Sequence, residues 1–151
     1  FAGVAVSAMP VPLEAIVRSG VRAEPDVSAL ASLDRNKLCI LLWHYHDDDV
    51  PGPVAEIELS VGGLPVKAGE ARLEHFRIDE EHSNGFAAWK RMGSPQSPTA
   101  VQYAQLENRS RLEALGPMET VRLENSSAKL RLKLPRQAVS LISLEWRTAE
   151  K

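Results

Sequence analysis

The chain has 151 residues, 44% of them hydrophobic, with 18 Lys+Arg against 20 Asp+Glu and a formal charge of -2. That is one domain's worth of chain with enough apolar residues for a buried core, and we read residues 1–151 as a single domain. The balanced charge excludes the basic footprint of a nucleic-acid binder or of a protein held on an anionic membrane, and no run approaches the roughly 18 apolar residues of a membrane-crossing helix.

Taken in chain order, residues 4–18 read as an extra edge strand and residues 27–33 as the first clear strand. Residues 38–45 are near-continuously apolar, as expected for a strand in the middle of a packed sheet. In 54–61, Ala55, Ile57, Leu59 and Val61 alternate with Glu56, Glu58 and Ser60, the period-2 mark of a strand with one wet face. Residues 70–78 form a further strand, in which the apolar positions shift phase between Leu73 and Phe76; a bulge or bend is expected there.

The β pattern then breaks. Cap-type residues from Ser83 precede Phe86, Trp89 and Met92, whose spacing predicts a short helix with all three on its buried side, closed by Gly93. Thr99 and Gln102 form a capping-box pair for a second helix carrying Val101, Ala104 and Leu106. The helical insertion is expected over about 83–115. Strands follow at 118–124, at 128–134 with Leu130, Leu132 and Leu134 alternating against Lys129, Arg131 and Lys133, and at the apolar run 139–146.

Connections such as Pro51-Gly52-Pro53 and Gly62-Gly63-Leu64-Pro65 are too short for crossover helices, so the pairing is expected to be antiparallel. The fold class is therefore mainly β, an antiparallel two-sheet β-sandwich with a short two-helix insertion. The single cysteine, Cys39, has no partner for an internal disulfide and reads as a small buried hydrophobe. Trp43, Trp89 and Trp146 all sit in apolar patterns and are expected to pack in the core rather than stack on sugars.

Two polar clusters are candidates for chemistry. The first is Trp43-His44-Tyr45-His46-Asp47-Asp48-Asp49, where a strand runs into a Pro/Gly loop. His-x-His on a strand puts both rings on one face, so His44, His46 and Asp48 suggest a metal site, but Asp49 stands where a binuclear metallohydrolase loop carries its final His. A solvated acidic turn accounts for the segment without a metal, and no metal or other cofactor is called for. The second cluster is Arg77-Ile78-Asp79-Glu80-Glu81-His82-Ser83-Asn84. Adjacent carboxylates diverge and cannot flank one glycosidic bond, so acidic residues ahead of a helix N-terminus are the simpler reading. No nucleophile elbow, phosphate loop or CxxC pair occurs. Asn108-Arg109-Ser110 and Asn125-Ser126-Ser127 match the glycosylation tripeptide, relevant only to a eukaryotic secretory source.

Several strings go further. Pro25 through Ser32, Trp43 through Pro53, and above all Phe76-Arg77-Ile78-Asp79-Glu80-Glu81-His82-Ser83-Asn84 with Ala88-Trp89-Lys90-Arg91-Met92-Gly93-Ser94-Pro95 resemble the C-terminal part of bacterial family 39 glycoside hydrolases, the family of β-xylosidases and α-L-iduronidases. Pro98 through Tyr103 is similar to that family's next helix start. The resemblance runs from about Leu13 to about Glu145.

The resemblance implies a β-sandwich packed on a (β/α)8 barrel that carries both catalytic glutamates. A barrel needs about 250 residues, so it is absent from this chain. No Asn-Glu-Pro acid/base motif is present, the only Glu-Pro being Glu24-Pro25 after Ala23, and no catalytic residue is carried over. What the resemblance does imply is proximity: His46, Asp47, Asp48, Asp49, Glu80, Glu81, His82 and Asn84 become candidates for the substrate rim or the barrel interface. The implied partners are the barrel and, through the parent enzyme, xylo-oligosaccharides, with no nucleic acid and no membrane. The implied role is an accessory domain of a retaining β-xylosidase active in xylan degradation, inactive alone; the alternative is a free-standing carbohydrate-binding or interaction module. The sequence begins at Phe1 rather than Met, so the true N-terminus is expected to lie upstream, and a bacterial cytoplasmic or periplasmic location is expected.

Overall fold

The computed structural model describes residues 12–20, 25–46 and 50–147. It contains helices α1 (Leu13–Ser19), α2 (Gly85–Arg91) and α3 (Ala100–Arg109) and strands β1 (Val27–Leu33), β2 (Lys37–His44), β3 (Ala55–Val61), β4 (Gly69–Ile78), β5 (Glu113–Ala114), β6 (Glu119–Leu123), β7 (Ala128–Leu134) and β8 (Ala138–Trp146).

Every strand pairing is antiparallel. Six strands form one sheet in the order β1-β2-β8-β4-β5, with β6 also on β4, and β3 with β7 form the second. Alternation places Leu38, Ile40 and Leu42 of β2 and Ile142 and Leu144 of β8 on the inner face, against Leu59, Val61 and Leu134 of the small sheet. These side chains are at most 6% exposed, which makes the space between the sheets the core. The small sheet turns its charged residues to solvent, as its period-2 pattern predicts. The antiparallel sandwich with a two-helix insertion is thus the observed architecture. No helix among the described residues is long and apolar enough to cross a membrane.

Five expectations are corrected. Residues 13–19 are the helix α1 rather than part of an edge strand: Leu13, Ile16 and Val17 recur at helical spacing behind Pro12, whose carbonyl accepts the first turn's N–H from Ala15 at 2.8 Å. Residues 4–11 of that expected strand lie outside the described residues. The strand β4 has no bulge, since its register against β8 runs unbroken from Ala71↔Trp146 to Ile78↔Val139. The apparent phase shift arises because His75 and Arg77 take the inward positions after Leu73, leaving Phe76 and Ile78 on the outer face.

Cys39 is half-buried and outward, between Ser32 and Ser143, because its neighbours Leu38 and Ile40 hold the core positions of β2. Of the tryptophans only Trp146 lies in the core; Trp43 is outward on β2, and Trp89 is half-buried on α2. The buried residues of α2 are Ala87 and Ala88, while Phe86 is 62% exposed and stacks on Trp89 with ring centroids 5.7 Å apart. The start of this two-turn helix lies against the end of α3. At Gly85 a Cβ would collide with the Ser110 hydroxyl and lie 3.2 Å from the Leu106 carbonyl, so a larger residue requires Ser110 to turn away and the crossing to widen.

Candidate functional site

The two polar clusters meet at one end of the large sheet. His44 is opposite Ala138 on one side of β8, and Ile78 is opposite Val139 on the other, so the exits of β2 and β4 flank the start of β8. Two strand spacings, about 10 Å, separate them.

On the β2 side, His44 is 1% and His46 4% exposed. The Leu134 carbonyl, 3.1 Å from His44 Nδ1, can only accept, which assigns the proton to Nδ1 and leaves Nε2 as an acceptor. That Nε2 is buried with no hydrogen-bond partner among the described residues. The two imidazoles meet edge-on with centroids 5.3 Å apart. Gln137 clamps the His46 backbone, accepting its N–H at 3.3 Å and donating to its carbonyl. His46 is therefore buried, with its backbone held by Gln137. Asp47, Asp48 and Asp49 lie outside the described residues. Among the described residues no three His, Cys, Asp or Glu side chains converge on a common point.

On the β4 side, a buried carboxylate organises the segment. Asp79, 8% exposed, accepts N–H bonds from Glu81 and His82 at 2.8 Å each and takes a third contact from His82 Nδ1 at 2.8 Å. Burial, the largest single influence, pushes its pKa up, but the His82 ring and the two backbone donors outweigh it and hold the carboxyl below its ordinary range. Asn84 caps α2 by accepting the Ala87 N–H at 2.9 Å and donates from Nδ2 to the Asp79 carbonyl at 2.9 Å. Its side chain is committed to the turn.

Glu80 and Glu81 are exposed, and their partners point in one direction. Arg91 Nη2 donates to the Glu80 carbonyl and to Glu81 Oε1 at 2.7 Å each, and Arg109 donates to the Glu81 carbonyl at 2.6 Å. These bonds tie α2 and α3 to the end of β4. The capping box of α3 forms as the spacing predicts, with Gln102 N–H on Thr99 Oγ1 at 3.3 Å and Thr99 N–H on Gln102 Oε1 at 2.9 Å. Of the predicted rim residues, Glu80, Glu81 and His82 reach solvent; the His82 side chain is 38% exposed.

A polar network that joins Arg77 of the second cluster to His75 and Ser140, partners not anticipated from the sequence, lies on the inner face of β4 and β8. Arg77 donates from Nε to Ser140 Oγ at 3.0 Å and from Nη2 to the Lys133 carbonyl at 2.8 Å, bridging the two sheets, with its Nη1 3.9 Å from Asp79. His75 Nε2 is 2.9 Å from the same Ser140 hydroxyl and 3.4 Å from Arg77 Nη2. Arg77 only donates, so Nε2 is the acceptor and the ring is neutral. Burial first, and the Arg77 charge second, push the His75 pKa down to about 4. The signal for this network was the continuation of the Ala71, Leu73 alternation through His75 to Arg77. A cleft of about 1180 Å³ at the opposite end of the sheet, lined in part by Asn36, Arg72, Glu145 and Trp146, contains none of the predicted residues.

The fold and this end of the sandwich together define a β-sandwich with a helical excursion, stabilised by buried polar ties. No family model matches the chain. Among solved structures it is similar to the bacterial orthologue of human α-L-iduronidase, with a TM-score of 0.66 and 21% identity over 82% of this chain and 22% of that one. It is likewise similar to a monomeric β-xylosidase from Caulobacter crescentus CB15, with a TM-score of 0.63 and 19% identity over 80% of this chain and 26% of that one. A GH39 enzyme from Xanthomonas axonopodis pv. citri gives a TM-score of 0.64 and 18% identity over 78% of this chain and 25% of that one. The shared feature is the fold, and this chain spans about a quarter of the length of each of those enzymes.

Proposed function

We propose that this chain is the non-catalytic β-sandwich of a family 39 glycoside hydrolase, and that the parent enzyme is a retaining β-xylosidase releasing terminal xylose from β-1,4-linked xylo-oligosaccharides during xylan degradation. The observation that carries this reading is the match in fold, over about four fifths of this chain, to enzymes of which it would make up only a quarter. The rest of such an enzyme is a catalytic barrel, which this chain accompanies.

The chemistry of the described residues supports an accessory role. Retaining hydrolysis needs two carboxyl groups about 5–5.5 Å apart across a cleft. Glu81 is engaged by Arg91, Asp79 is enclosed by its own turn, and Glu80 stands on the exposed turn between them. Glu80, Glu81 and His82, at the exposed end of this turn, are the residues we assign to the rim facing the barrel or its substrate.

Titrating the chain with xylo-oligosaccharides while following tryptophan fluorescence tests this role against a free-standing carbohydrate-binding module. No saturable change is expected. A saturable change lost on Trp43→Ala or Trp89→Ala would make the binding module the correct reading.

A further inference from the structure

The two outer faces of the sandwich differ in kind. On the small sheet, Glu56 and Glu58 of β3 stand opposite Lys133 and Arg131 of β7, paired at 3.3 Å each. That face suits water. On the large sheet the outward rows run Leu41, Leu141 and Phe76, then Trp43, Val139 and Ile78, with no charged side chain in either row. Leu41 is 36% and Ile78 43% exposed, although both lie on the body of the sheet.

The sequence of these strands explains the contrast. An antiparallel strand with one solvated face alternates apolar and polar residues, as β3 and β7 do; β2 is apolar on both faces from Leu38 to Trp43, and β8 turns Val139 and Leu141 outward before Ser143 and Glu145, the pattern of a sheet covered on both sides at this end. The core covers the inner side. Contiguous apolar area of this kind on a sheet marks an interaction surface.

We infer that this outer face of β2, β8 and β4 is the surface on which the catalytic barrel docks, an inference that rests on the accessory-domain reading above. The occupant is a neutral, apolar protein surface. Uncharged rows give no hold to a polyanion, and a sugar would need polar groups beside the aromatic rings to take its hydroxyls, where these rows offer only Leu141 and Val139 between Phe76, Trp43 and Ile78. The helical excursion is anchored by Arg91 and Arg109 at the edge of the same end, beside Ile78. The charged face of the small sheet stays in solvent.

The test is co-expression of the affinity-tagged chain with the barrel encoded alongside it, comparing wild type with Leu41→Lys/Leu141→Lys. A strand-compatible pair, Phe76→Thr/Val139→Thr, guards against misfolding, and Glu58→Gln/Arg131→Gln on the charged face serves as control. All four chains should keep the same circular dichroism spectrum. Wild type and control are expected to retain the barrel, while both outer-face pairs weaken retention at least about tenfold, as for residues at the centre of an interface. Outer-face pairs that retain the barrel as well as wild type would overturn the docking surface and leave the accessory role standing. A wild-type chain that retains no barrel would overturn the accessory role and the docking inference together. A wild-type dimer dissociated by the lysine pair would overturn the barrel as occupant in favour of a second copy.

Discussion

Arg77 and Ser140 face each other across β4 and β8, and their 3.0 Å hydrogen bond is the hinge of a chain that runs from the Lys133 carbonyl of the small sheet through Arg77 and Ser140 to His75. The hydroxyl accepts from Arg77 and donates to His75, so it satisfies two buried neighbours at once. Replacing Ser140 by Ala should leave Arg77 Nε and His75 Nε2 short of a partner and cost about 1–3 kcal/mol. Urea denaturation checks this; an unchanged midpoint would mean that water or a shifted side chain replaces the hydroxyl.

The same network gives the fold an acid limit. His75 titrates at about 4 in the folded protein against 6.5 for a free side chain. The unfolded chain therefore takes up this proton first as pH falls, so stability is held above pH 6.5 and is lost as the pH drops from there through about 4. Asp79, whose carboxyl is held below its usual range, adds its loss only at still lower pH. The His75 contribution should be about 1–3 kcal/mol, less than the full shift implies because the ring is only partly buried. His75→Gln, which keeps a neutral acceptor, should flatten the stability curve between pH 4 and 6.5; an equally steep curve would show that another group sets the limit.

The aromatic pair on α2 should split in its effects. Trp89 is half-buried and donates from Nε1 to the Pro95 carbonyl at 3.0 Å, whereas Phe86 is 62% exposed with Lys90 4.8 Å over its ring. Trp89→Ala is expected to cost about 1–3 kcal/mol, below the range for a fully buried tryptophan, and Phe86→Ala less than about 1 kcal/mol. Thermal melts of the two variants decide it, and an equal loss would place Phe86 in a contact beyond its stacking on Trp89.

How far the sequence was readable depends on what each residue had to signal. The alternation of Ala55 through Val61 and of Leu130 through Leu134 announced strands because one face is core and the other water. The Thr99–Gln102 capping box was legible because both of its bonds are local. A bulge was expected in β4 because the apolar positions shift phase between Leu73 and Phe76, and only the position of Ser140, 63 residues from Arg77, shows that His75 and Arg77 take the inward places. Phe86 misled for the converse reason: an apolar side chain at helical spacing need not be buried, and in α2 the buried residues are Ala87 and Ala88. For the candidate site, the sequence placed Glu80, Glu81 and His82 at an exposed turn and Asn84 among the cap-type residues of α2, but the burial of His46, whose backbone is held by Gln137 far along the chain, is not revealed by spacing.

The proposed role, a sandwich that accompanies a glycosidase without a hydrolytic centre of its own, has one decisive test. The most direct measurement is release of nitrophenol from an aryl β-xyloside by the purified 151-residue chain, set against a heat-killed control and the Glu80→Gln/Glu81→Gln variant. No release above the control is expected from either chain. Release that is heat-sensitive and disappears in the variant would contradict that role and place a working carboxylate pair on this sandwich.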